Sequence, residues 1–251
     1  MDSEEESSSL FGISEDLVQS PVHKAAGVSS VDFDGLLSPP LRLQEDLSEG
    51  CGGQLWPAGM VLSKYMLRKH KDDIQNSSIV ELGAGGGLVG SVHPHEYLQK
   101  ETQMLTPYEI SSLAVAIGCG IGKTLLITDQ KPMFALMEQN IILNNLQSKA
   151  KAAIYDWGEP VPAQVPPHPD IILAADCVYF EPAFLLLQKT LADLIGDKTV
   201  CYFCFKKRRR ADLHFMKAAR KTFEVKEVDD DPDKGVYERE NIFLYKITKK
   251  C

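Results

Sequence analysis

No stretch of this 251-residue sequence strings together the ~20 apolar residues that a membrane-spanning helix needs, so we expect no membrane anchor. Positive charge is also short: 27 Lys and Arg stand against 35 Asp and Glu, a net charge of −8. Such a balance gives no basis for non-specific attraction to nucleic acid or an anionic bilayer. Cysteine is sparse, six residues at positions 51, 119, 177, 201, 204 and 251. Only Cys201 and Cys204 lie close together, inside the strand-like TVCYFCF, and no second pair completes a zinc site. We read them as buried free thiols of a reducing compartment. Of the histidines, His93 and His95 are neighbours, whereas His23, His70, His168 and His214 cluster with neither cysteines nor carboxylates, so no metal is assigned. Residues 1–30 are rich in Ser, Glu and Asp and poor in aromatics, the text of a disordered acidic tail and not of a signal peptide. A soluble cytoplasmic monomer is expected.

What is present is ordinary globular text, 44% apolar and 25% charged, long enough for a sizeable core. Two short runs, 31–37 and 41–47, flank Ser38, Pro39 and Pro40 and read as a hairpin or edge pair. MVLSKYMLRKHK (60–71) has helical spacing. Strands are then expected at 77–85, 123–130, 151–157, 169–179 and 199–207, with helices at 134–146, 183–195 and 211–223. Two final strands, 225–228 and 241–248, are separated by an acidic turn in which Asp229, Asp230 and Asp231 read as solvated. The strands are continuously apolar instead of alternating, and helices intervene. That pattern specifies an α/β fold with a doubly wound, mostly parallel sheet of seven strands, the last antiparallel.

The chemistry-bearing residues fall at strand ends. Gly83, Gly85, Gly86, Gly87 and Gly90 follow the 77–85 strand, and Gly85, Gly87 and Gly90 satisfy G-x-G-x-x-G. A strand-to-helix turn can be glycine-rich for steric reasons alone. The next strand, however, ends at Asp129, whose carboxylate suits the two hydroxyls of an adenosine ribose. Asp156 and Trp157 end the third strand, where an indole could cover an adenine and a carboxylate accept its amine. Asp176, Tyr179 and Glu181 end the fourth, at the edge where open α/β sheets place ligands. Each also has an ordinary reading, as a helix-terminal charge, a half-buried loop indole or a strand-terminal cap. The basic run KKRRR (206–210) reads as a solvated face or a patch for an acidic protein surface before a nuclear signal. Three functions fit these residues: methyl transfer, nicotinamide-dependent oxidoreduction, or ligand binding by a degenerate, non-catalytic module. The second lacks any recognisable catalytic His, Tyr-Lys or Cys arrangement.

Together, GCGGQLWPAGMVLSKYM, VELGAGGGLVG, ITD with NIILNN, YDWG and DCVYFEPAF resemble the seven-stranded protein-lysine methyltransferases often called family 16. The resemblance spans 31–250 apart from one segment, and CFKKRRRADLHFMKAARKTFEV is most like the fungal branch acting on translation elongation factor 1-alpha. It implies a Rossmann-like methyltransferase domain over 31–251 that uses S-adenosyl-L-methionine (AdoMet). It further implies that Glu81, Gly83 and Gly85 form the AdoMet loop, that Asp129 holds the ribose and that Trp157 lies at the adenine. Trp56 would pack on the cofactor, and Asp176 and Tyr179 would present the target lysine. The family usually has Thr or Ser where this chain has Gly86.

The exception is residues 91–112, SVHPHEYLQKETQMLTPYEISS, which separate the glycine turn from LAVAIGCG (113–120). Pro94 and Pro107 preclude a continuous helix through them. Deleting them leaves an unbroken turn, helix and strand, ELGAGGGLVGLAVAIGCGIGKTLLITD. We read the segment as translated intron or annotation error, against a genuine surface loop that restarts the helix.

Overall fold

The computed structural model describes residues 27–45, 57–85, 111–178 and 180–250. The rest of the expected tail, Trp56, Gly86 to Gly90, residues 91–110 and Tyr179 lie outside the described residues.

A seven-stranded sheet carries the fold, in the order β5-β4-β3-β6-β7-β9-β8. Its strands are β3 (Ile79–Leu82), β4 (Leu125–Asp129), β5 (Ala150–Ile154), β6 (Ile171–Ala175), β7 (Val200–Lys206), β8 (Phe223–Glu227) and β9 (Ile242–Lys249). The first five of these run parallel, and β9 pairs antiparallel with both β7 and β8. The doubly wound seven-stranded expectation is met, including the antiparallel last strand. The pattern of burial explains why the text was legible: every residue of β3 and β4 is buried, because both sheet faces are covered.

One face packs under α1 (Pro57–Lys69), α2 (Ser111–Gly118) and α3 (Phe134–Leu143), the other under α4 (Phe184–Leu194) and α5 (Arg210–Thr222). Cys204 belongs to the first core and Cys201 to the second, so the C-x-x-C places its thiols on opposite sides of β7. Cys119, Cys177, Cys201 and Cys204 are buried thiols outside any disulfide, as expected. Among the described residues no helix is long and apolar enough to cross a membrane.

Two boundaries and one added helix differ from the sequence reading. The small antiparallel pair β1 (Gly27–Val31) and β2 (Leu41–Glu45) begins inside the span read as tail. The free edge of β2 is then covered by side-chain amides. Arg42 donates its backbone N–H to Asn144, which caps the end of α3, and Gln44 donates its own to Asn140 of α3, at 2.8 Å each, and Asn144 returns a hydrogen bond to the Arg42 carbonyl at 2.6 Å. Finally, α2 starts at Ser111, two residues before the expected restart at Leu113. Its first two serines are buried, and Ser111 Oγ donates to the Gly59 carbonyl. Between β8 and β9 lies a short helix, α6 (Lys234–Tyr237).

Candidate active site

The parallel strands deliver their carboxyl ends to one edge, and the candidate residues collect there. Glu81 of β3 is 1% exposed, and its Oε2 accepts the Ser112 N–H at 2.8 Å. A carboxylate at the first turn of a helix meets unsatisfied N–H groups and the positive end of the dipole. Glu81 therefore fastens α2 to the strand that bears the glycine turn. Gly83 follows with φ +71°, the left-handed region. A Cβ placed there would lie 2.7 Å from the Trp157 indole and 3.1 Å from the Cys177 sulfur. Glycine is thus needed twice at this position, for its backbone angle and for the indole that lies against it.

Asp129 ends β4, 3% exposed, and accepts the Gly85 N–H at 2.9 Å and its neighbour Gln130 N–H. A carboxylate has acceptor sites on both oxygens, and these bonds fix the Asp129 side chain at the carboxyl edge beside the glycine turn. Trp157 and Asp156 follow β5 half-buried, and the Asp156 side chain makes no hydrogen bond among the described residues. Gly158 is fixed by its N–H bond to Thr190 Oγ1 on α4, 2.9 Å. Gly83, Gly85, Asp129 and Trp157 are therefore one cluster, built from three strand ends.

Asp176, the first residue after β6, is 2% exposed and holds a φ of +51°. Its backbone stays in the sheet through a bond to the Cys204 carbonyl at 2.8 Å. Its carboxylate is not open. Arg208 grips it with both guanidinium nitrogens at 3.1 Å, and Lys206 donates its backbone N–H at 2.9 Å. The sequence reading had treated the basic run as an outward patch and missed this pairing. A second buried carboxylate, Asp212 on α5, accepts the N–H groups of Arg208 and Arg209 at 2.8 and 2.9 Å. Residues 206–210 are thus clamped from both sides. The available signal was the acid at the third position of a helix, which commonly closes back onto the residues before it.

The whole 36–222 span matches the family described as lysine methyltransferase. The chain belongs to the lysine methyltransferase family. It is 34% identical to the protein-lysine N-methyltransferase EFM6 of Saccharomyces cerevisiae, the alignment covering 96% of this chain and 99% of that one. Protein N-lysine methyltransferase METTL21A of Mus musculus is 28% identical, with 84% of each chain covered. EEF1A lysine methyltransferase 3 of the same species is 26% identical over 75% of this chain and 72% of that one. Among solved structures, the Thermus thermophilus 16S rRNA N2 G1207 methyltransferase RsmC, in complex with AdoMet and guanosine, superimposes with a TM-score of 0.57. At 14% identity, over 90% of this chain and 50% of that one, it attests the shared fold. The expectation of an AdoMet-dependent methyltransferase stands with the family. The oxidoreductase and non-catalytic readings are set aside by it.

The described residues fit that cofactor. A glycine turn without side chains, a buried carboxylate and a half-buried indole at neighbouring strand ends match an adenosine, and Glu81 keeps the turn in register with α2.

Proposed function

We propose that this chain transfers a methyl group to a lysine side chain of a cytoplasmic protein, elongation factor 1-alpha being the substrate we favour. The observation that carries the reading is the meeting of Gly83, Asp129 and Trp157 at the carboxyl edge, with the buried Asp176 one strand away. The names of the related yeast and mouse enzymes support a translation-factor substrate.

In this reading Asp129 holds the ribose hydroxyls and Trp157 the adenine, with Asp156 accepting the exocyclic amine. Glu81, Gly83 and Gly85 shape the turn beneath, and the resemblance assigns Trp56, outside the described residues, to pack on the cofactor. AdoMet supplies a methyl group on a sulfonium, which leaves as the uncharged thioether when an amine attacks in line. The residues have the task of delivering that amine. Lysine, with pKa ~10.4, is mostly protonated at neutral pH and must lose its proton before attack. Asp176 is a carboxylate already built to hold a cation: Arg208 is that cation in the structure. The entering ammonium shares or takes over one of the two guanidinium positions and sheds its proton to water, and the resemblance assigns the channel wall to Tyr179, outside the described residues. Positioning of this kind contributes on the order of 7 kcal/mol in well-oriented systems.

The test is to incubate the full chain with AdoMet and purified elongation factor 1-alpha and to map methylated lysines by mass spectrometry. A methyl on a lysine of the factor, lost in Asp129→Ala, is the expected result. Robust AdoMet binding without any methylated lysine on the factor would rule out this substrate.

A further inference from the structure

The described residues line an open groove of about 520 Å³ between the first half of α1 and the connection from β8 to β9. Pockets of several hundred Å³ are typical of binding sites. Its walls are apolar in part, with Met60 and Val61 from α1 facing Val236 and Ile242. Val236 is 56% exposed, one of few large apolar side chains left open to solvent.

The polar part of the lining is acidic. Asp34, Asp231, Asp233 and Glu240 face Lys64 alone. Lys64 pairs with Asp34, and Arg68 reaches in to Asp233 at 2.6 Å and Asp231 at 3.5 Å. The set keeps a negative excess after these pairings, with Glu240 exposed and in no ion pair among the described residues. A separate observation concerns Tyr237. It lines the cavity while only 5% exposed, and its hydroxyl has no hydrogen-bond partner among the described residues. A buried phenol without a partner is costly unless another group comes to meet it.

The cavity also lies at the catalytic edge. Ile242 is the ladder partner of Lys206, and the Lys206 N–H holds the Asp176 carboxylate. Strands are spaced ~4.8 Å apart, so the cavity wall and Asp176 are separated by roughly 10 Å, about three residues of extended chain.

We propose that this cavity docks a basic, partly apolar segment of the protein substrate, presenting a Lys or Arg to Glu240 about three residues from the lysine that is methylated. This rests on the lysine-transfer reading above. Charge complementarity selects the occupant: the chain's own N-terminal residues are acidic and a second copy carries a net charge of −8, so both are repelled. Apolar walls meet the aliphatic stem of such a side chain, and the carboxylate meets its head.

The experiment measures fluorescence anisotropy of short labelled peptides on the full chain saturated with S-adenosylhomocysteine. The peptides share a central lysine and a neighbouring leucine and carry either Arg or Glu about three positions away. The Arg peptide is expected to bind about fivefold tighter, with the difference shrinking at high salt. Glu240→Gln and, separately, Val236→Ser are both exposed changes that leave the fold intact. Each should weaken the Arg peptide about threefold while AdoMet affinity, read by calorimetry, stays put. Equal binding of the two peptides, or an Arg preference untouched by both variants, overturns the proposal. So does concentration-dependent dimerisation that excludes the peptide, which gives the cavity to a second copy. Methyl transfer to the same peptides is scored separately. A bound Arg peptide that is never methylated, while elongation factor 1-alpha is, overturns the proposal that the groove sets the lysine in place, and methylation indifferent to Arg overturns it as well.

Discussion

Asp176 combines three demands in one residue: a left-handed backbone, near-complete burial and an ionised partner. Aspartate tolerates that backbone better than most side chains, and a buried carboxylate without its cation is expensive. Asp176→Asn keeps the shape and the acceptor for the Lys206 N–H but removes the charge that receives an ammonium. Methyl transfer should fall roughly 100-fold, a loss of positioning, while AdoMet affinity is kept and the melting temperature drops because Arg208 loses its ion pair. Full activity in the Asp176→Asn variant, measured with radiolabelled AdoMet, would assign Asp176 to the loop clamp alone. Gly83 makes the opposite case. Gly83→Ala meets both a φ of +71° and the Trp157 ring at 2.7 Å, so it should cost about 1–3 kcal/mol of stability. Its AdoMet affinity should drop with it, as calorimetry and thermal denaturation would record together.

At the level of elements, the β7–α5 junction is held by the Asp212 carboxylate, which is fully buried on α5. Asp212→Ala leaves the N–H groups of Arg208 and Arg209 unmet and should destabilise the protein by about 1–2 kcal/mol. Circular dichroism melting would show the shift. The segment 91–112 poses a different question, since its last two residues, Ser111 and Ser112, begin α2 and Ser112 is tied to Glu81. We propose that a chain lacking 91–110 binds AdoMet more tightly than the full chain. Equal affinities by calorimetry would make the segment a tolerated loop. Strands and helices were legible in the sequence because β3, β4 and β6 are buried on both faces, which leaves continuous apolar text. The glycine turn and Asp129 were legible for a related reason: they sit where those apolar runs stop. Arg208 was not, because a guanidinium in a run of five basic residues carries no mark of the one carboxylate it will reach. The amides of Asn140 and Asn144 on the β2 edge were hidden likewise, since their partners lie about a hundred residues away. Contacts between distant positions leave no periodicity to read.

The whole molecule buries many groups that must stay uncharged. Burial pushes the Cys119 thiol up to about 12 and the Cys204 thiol well above its usual range, and raises the phenols of Tyr65 and Tyr202. Each has a folded-state pKa above its unfolded value. Its contribution is therefore complete below pH ~9, where the unfolded thiol starts to ionise, and is lost as pH rises toward the folded value. The melting temperature should hold through neutral pH and fall steadily above pH ~9, and Cys119→Ala should flatten that alkaline slope. An unchanged slope in the variant would show that the tyrosines dominate.

The alternation of Cys201 and Cys204 across β7 has a practical consequence. Three residues of strand separate their Cα atoms by roughly 10 Å, beyond the ~7 Å that a disulfide can bridge, and their thiols point to opposite faces of the sheet. Air oxidation cannot join them while the sheet exists. Their first appearance to a thiol-reactive dye marks the moment the sheet opens, which turns an unremarkable pair of cysteines into a built-in clock for unfolding.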